Sequence, residues 1–150
     1  MMLMKRLLVL PFLALSVFCL PQIAQASTAT YGPYQAQTVR DIDGDTVVMN
    51  IAVWPDVTYR MSVRVYGVDT AEMHSKNACE HALAVKGKQF TEAWLARGGG
   101  ITLDKVQLGK YAGRIVAEVR RGNDVLAADL IAAGLGHPYF GGHKAPWCVG

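Results

Sequence analysis

The run Thr38-Val39-Arg40-Asp41-Ile42-Asp43-Gly44-Asp45-Thr46-Val47-Val48-Met49-Asn50-Ile51 decides the fold. β-Branched residues crowd both halves, and Asp43-Gly44 between them is a hairpin signal, because Asp and Gly tolerate the backbone geometry of a tight reversal. Two antiparallel strands are therefore expected. A third strand follows over Tyr59 to Val68, where Met61, Val63 and Val65 alternate with Arg60, Ser62 and Arg64. Successive strand side chains point to opposite faces, so Arg64 faces away from Val63 and Val65.

Further along, Cys79 to Arg97 reads as a helix: Leu83, Gly87, Phe90 and Trp94 recur at helical spacing, while Glu80, Lys88 and Glu92 lie elsewhere around it. Gly98-Gly99-Gly100 ends it. These glycines make a poor phosphate cradle, which needs a strand before and a helix after. Strands over Ile101 to Gln107 and Arg114 to Arg120 come next, then a turn at Gly122-Asn123. Asp124 is expected to cap a short helix with Val125, Leu126, Leu130 and Ile131 on its apolar side and Gly134 as its stop. Three strands, a helix, two strands and a helix make a mainly β, α+β fold. The expected architecture is a partly open OB-fold barrel of five antiparallel strands, with a helix inserted after strand 3 and a short second helix. The tail from Gly136 to Gly150 is too irregular for another long helix.

A chain of 150 residues, 51% hydrophobic and 18% charged, suits one domain rather than a disordered tail or a repeat array. Lys5 and Arg6 precede the apolar run Leu7 to Leu20, then Pro21 and the small-residue pattern Ala24-Gln25-Ala26. This is an export-signal pattern, and the run is shorter than the roughly 20 residues of a membrane span. Ser16, Val17 and Phe18 before Cys19 do not suit lipid attachment. Residues 1–26 are expected to be a signal peptide cleaved after Ala26, 27–37 a flexible leader, and 38–150 the folded domain. The mature protein is then secreted or periplasmic, without stable membrane association.

Cleavage leaves 13 basic against 12 acidic residues, so the net charge falls from +3 to +1. A polyanion must then be met by a local cluster of cations rather than by a general basic coat. Cys79 and Cys148 remain, which in an oxidising compartment is the arithmetic of one disulfide. His74 and His81 flank Cys79 and with Cys148 offer zinc-ligand chemistry, but their spacing matches no standard motif. His137 and His143 carry no pattern of their own.

Carboxylates cluster at predicted strand ends: Asp41, Asp43 and Asp45 around the first turn, Asp69 and Glu72 just past the third strand. Hard oxygen donors without paired His or Cys suit Ca²⁺ or Mg²⁺ far better than Zn²⁺. Arg64 lies on the third strand, near Asp69, and Arg114 opens a later one. Two guanidiniums beside a carboxylate-bound cation suit a phosphodiester, because attack at phosphorus builds negative charge that fixed positive groups stabilise. A spare carboxylate can orient or deprotonate water.

Three runs, Ile42-Asp43-Gly44-Asp45-Thr46, Arg64-Val65-Tyr66-Gly67-Val68-Asp69-Thr70-Ala71-Glu72 and Tyr111-Ala112-Gly113-Arg114, appear in this order. In order and approximate spacing they resemble the staphylococcal nuclease (thermonuclease) family, over about Val39 to Tyr139. The resemblance implies that Asp45 and Asp69 bind Ca²⁺ through carboxylates and Thr70 through its carbonyl, with Asp43 behind them reaching the ion through water. It implies that Arg64 and Arg114 grip the phosphate and that Glu72 assists the attacking water. Tyr111 and Tyr139 resemble the family's base-contacting tyrosines, in keeping with the stacking of bases on aromatic faces. The implied activity is hydrolysis of DNA, and of RNA, with little sequence preference, leaving 3′-phosphorylated products; a monomer is expected.

The chain departs from the family in four places. Ala71 replaces the usual proline of Asp-Thr-Pro-Glu, which loosens the backbone aiming Glu72 but deletes no functional group. One extra residue precedes Arg114, so it needs a different turn to reach the site. The hairpin from Asn50 to Tyr59 is longer, a change that bears on substrate access, and the family's C-terminal helix is missing. The rival reading is a catalytically silent OB module that binds nucleic acid or a protein partner; silent relatives generally lose acidic or arginine positions that this chain keeps.

Overall fold

The computed structural model describes residues 29–148, so the expected signal peptide and its cleavage point lie outside the described residues. In chain order the elements are β1 (Tyr34–Asp43), β2 (Thr46–Trp54), β3 (Val57–Val65), β4 (Gly67–Asp69), α1 (Ala78–Ala96), β5 (Ile101–Leu108), β6 (Arg114–Arg121), β7 (Asp124–Val125), α2 (Leu126–Ala132) and β8 (His137–Tyr139). Strands β3, β2, β1, β5 and β6 lie side by side, and β3 pairs back onto β6 to close a five-stranded mixed barrel. The fold is α+β and OB-like, with α1 following the third barrel strand and the short α2 near the end.

The closing pair β3–β6 is parallel rather than antiparallel, while the other barrel pairs are antiparallel. Five strands that alternate in direction cannot close a ring without one pair of neighbours running the same way. Inside the barrel lie Val47, Met49 and Ile51 of β2, Val63 and Val65 of β3, Leu103 of β5 and Ala117 and Val119 of β6, all buried. The period-2 alternation of β3 and β6 is thus an inside-outside code, and it leaves Arg64 and Arg114 on the outer face.

β1 begins at Tyr34, and Tyr31 bridges Val106, so part of the expected flexible leader belongs to the barrel. Tyr34 to Ala36 take the open edge of β5. Gln35 and Gln37 face solvent, which is why this polar strand shows no apolar run. The expected strand Tyr59 to Val68 is broken into β3 and β4 at Tyr66 and begins earlier, at Val57. Pro55 and Asp56 turn the β2–β3 hairpin at the end of β2 remote from Gly44. That tip is about 26 Å along the strand from the acidic turn, so the longer hairpin does not border the cleft described below.

Asn77 caps α1, its side-chain oxygen accepting from the amides of Cys79 and Glu80. The buried stripe of α1 runs through Ala84, Gly87, Thr91, Trp94 and Leu95, with Leu83 and Phe90 half-buried at its margins. At the other end the Arg121 guanidinium donates to the carbonyls of Trp94 and Leu95, closing the helix with a cation where its dipole is negative. Asp124 does not cap α2: it lies in β7, paired with Arg121 of β6, and Val125 stands at the N-cap without a side-chain bond.

The tail is held at two points. β8 pairs with β4, placing His137 opposite Asp69 and Tyr139 opposite Gly67. Cys148 is disulfide-bonded to Cys79 in the first turn of α1, as the cysteine count suggested. The His137 ring stacks on Trp147 at 3.9 Å, joining the two anchor points. Among the described residues no helix follows α2, and no helix is long and apolar enough to cross a membrane.

Candidate functional site

Asp43 pairs with Thr46, so the two-residue reversal of the first hairpin is Gly44-Asp45. The Asp43 carboxylate accepts from the Asp45 amide at 3.2 Å and stiffens the turn. The turn is also pressed from below: Thr91 of α1 donates to the Gly44 carbonyl at 2.6 Å. A Cβ on Gly44 would sit 2.9 Å from the Thr70 side chain, so only glycine allows this approach.

Packing turns Asp45 inward, leaving it 5% exposed. Its Oδ1 accepts from the Thr46 hydroxyl at 3.0 Å and its Oδ2 from the Thr70 amide at 2.8 Å. Arg64 completes the arrangement: Nη1 meets Asp45 Oδ2, and Nη2 meets Asp69 Oδ1 at 2.9 Å. One guanidinium thus bridges two carboxylates that are 24 residues apart in the chain. Burial pushes the Asp45 carboxyl up to about 7, with Arg64 pulling the other way, Asp43 adding to the rise and the Thr70 amide opposing it.

Arg114 reaches the same face through the parallel register, in which Ser62 lies opposite Arg114 and Arg64 opposite Val116. The extra residue before Arg114 is absorbed in a turn: Gly113 takes φ +76°, and the Arg114 amide donates to the Tyr111 carbonyl at 3.2 Å. Tyr111 is exposed, with the Arg114 and Lys110 charges each 5.8 Å from its ring. A cleft of about 420 Å³ opens here, walled by Asp43, Asp45, Arg64, Glu72, Arg114 and Tyr139 among others. A second hollow of about 320 Å³ continues from it past Tyr139 to Tyr66 and Phe140.

The structure therefore gathers Asp43, Asp45, Asp69, Arg64, Glu72, Arg114, Tyr111 and Tyr139 at one cleft. Thr70 lies behind it, buried, and its amide donates to Asp45. The cysteines are bonded to each other and supply no zinc ligand. His81 sits with Nδ1 3.0 Å from the Met73 carbonyl, and His137 packs on Trp147.

Lys144 is the residue that sequence reasoning missed. Its ammonium lies 2.9 Å from Asp69 Oδ1 and 2.6 Å from Glu72 Oε1. Burial works against its charge, but hydrogen bonds to Glu72 and Asp69 outweigh that and hold its pKa above the ordinary lysine value. No local pattern in the irregular tail signals this contact, since it joins residues 69 and 144.

Among the described residues, no three His, Cys, Asp or Glu side chains gather closely enough to hold a metal alone. Asp45 and Asp69 nevertheless lie one guanidinium apart. Two neighbouring carboxylates suit a hard cation whose other positions are filled by water. Zn²⁺ does not fit this donor set.

Asp41 stands apart from the cleft, against Glu92 and Lys88 of α1. Burial, with Glu92 adding and Lys88 opposing, raises its carboxyl to about 6, and its Oδ1 is buried without a partner. Because this value lies above the ordinary 3.8, the penalty is absent below about pH 4 and complete above about pH 6. Asp41→Asn is expected to raise the melting temperature by about 3 °C near neutral pH, after discounting for partial exposure, and by nothing near pH 3.5. Melting curves at the two pH values check this; an equal shift at both would contradict it.

No protein-family model matches the chain, and no curated protein matches it.

Proposed function

We propose that this chain is an exported, Ca²⁺-dependent nuclease that hydrolyses phosphodiesters of DNA, and of RNA, with little sequence preference. The observation carrying this reading is the convergence of Asp45 and Asp69 on Arg64, with Glu72 and Arg114 walling the same cleft. The resemblance to the thermonuclease family adds to it, and the disulfide accords with an oxidising compartment.

In this reading Arg114, on the cleft wall, binds a non-bridging phosphate oxygen. Arg64 offers the opposite side, held in plane by Asp45 and Asp69 so that little orientation is lost on binding. A hard divalent cation, when bound at Asp45 and Asp69, neutralises phosphate charge and acidifies water. Glu72 has its side chain 56% exposed, within reach of solvent, and it orients or takes the proton of the attacking water. Tyr111 and Tyr139 stack against flanking bases, which gives binding without sequence preference. Family-like 3′-phosphorylated products follow if the 5′-oxygen leaves.

The test is digestion of labelled single-stranded DNA with calcium, with a chelator, and by Glu72→Gln protein. Chelation is expected to abolish cleavage and Glu72→Gln to slow it at least about 100-fold. Equal cleavage under all three conditions refutes the reading. Binding without turnover at every calcium level refutes it in favour of the silent OB module.

A further inference from the structure

Resting on the metal-dependent reading above, we propose that Lys144 is a tethered internal cation that competes with divalent ions for Asp69 while it holds Glu72, so that the tail sets the metal affinity of the cleft. Asp69 is 2% exposed, and its Oδ1 already receives two cations, Arg64 Nη2 and Lys144 Nζ, each at 2.9 Å. A divalent ion using that oxygen must displace one of them. Arg64 is the less mobile: it sits on a barrel strand, its side chain is 16% exposed, and its second prong is engaged by Asp45. Lys144 sits on a loop with its side chain 45% exposed, so Lys144 is the cation that leaves.

The loop is built to return it. β8 fixes one end beside Asp69, the Cys79–Cys148 bond fixes the other to α1, and the His137–Trp147 stack joins the two. Anchoring at both ends keeps the ammonium at a high effective concentration against the two carboxylates. The same contact holds Glu72, at 2.6 Å, so arrival of the ion and release of the Glu72 carboxylate toward water become one event. Lys144 is thus a positioning residue for Glu72 as well as a competitor for the ion.

Calorimetric titration of the mature protein with Ca²⁺ alone, without nucleic acid, tests this. Lys144→Met is expected to bind Ca²⁺ about tenfold more tightly than the unaltered protein, and Lys144→Arg to stay within about threefold of it. A merely structural role for Lys144 predicts the opposite sign, weaker binding on its loss. Equal or weaker binding by Lys144→Met overturns the competition while leaving the metal-dependent reading intact. Absence of binding heat from all three proteins overturns the competition, whereas the metal-dependent reading stands or falls on the chelator digestion.

Discussion

Arg64→Ala is expected to lower phosphodiester cleavage at least about a thousandfold and, in the same protein, to cost about 3 kcal/mol of stability. The two effects share one cause. Asp45 and Asp69 are 5% and 2% exposed, and Arg64 is the cation that joins them. Its removal leaves Asp69 to Lys144 and strands Asp45 beside Asp43, in surroundings that already push its carboxyl up to about 7. Losing the cation raises the folded value above about 7, so the deficit against the parent from Asp45 is small below about pH 7, where both folded proteins hold the proton, and grows as pH rises beyond it. Proton uptake by Asp45 keeps the cost toward the lower end of what breaking a buried ion pair entails. Denaturant titrations near pH 5 and pH 8 are expected to show a larger deficit at the higher pH. Arg64→Lys is expected to restore part of the stability and little of the cleavage, because a point charge cannot span both carboxylates as the planar fork does. Unchanged stability at pH 8 together with retained turnover would show that the bridge does neither job.

Breaking the disulfide is the second large effect. Cys79 and Cys148 are separated by 69 residues, and closing a loop of that length restricts the unfolded chain by about 4 kcal/mol in the chain-entropy account. The Cys79→Ser, Cys148→Ser protein is expected to melt about 15 °C or more below the parent. The bond also ties down a tail that otherwise rests on β8–β4 pairing and the His137–Trp147 stack. Mature protein made in an oxidising compartment is expected to yield no free thiols when denatured without reductant. Two thiols per chain, or identical melting of the serine variant, would exclude the bond as a stabilising element.

Much of the barrel was legible because its information is local. Alternation in Tyr59 to Val65 marks an inside and an outside, Asp43-Gly44 marks a reversal, and Gly98 to Gly100 marks a helix end. Local signals failed where pairing rather than side-chain pattern made the element: Tyr34 to Gln37 are strand because β5 offers an edge. Asp124 has the chemistry of a cap, yet ladder pairing with Arg121 claims it first. On α1 the buried stripe is shifted toward Ala84 and Thr91, because the helix packs on the Gly44 turn, and small residues allow that contact.

The sequence by itself determined the five barrel strands and two helices in outline and which acidic and arginine residues are available, since periodicity, turn chemistry and residue type act over a few positions. Only the tertiary structure decided that Asp41 faces α1 while Asp45 turns inward, that Arg64 spans two carboxylates, and that Lys144 enters the cleft. Those outcomes depend on barrel closure through a parallel pair and on a tail fastened at both ends. Contacts between positions 45, 69 and 144 are set by the path of the chain, and no local pattern encodes that path.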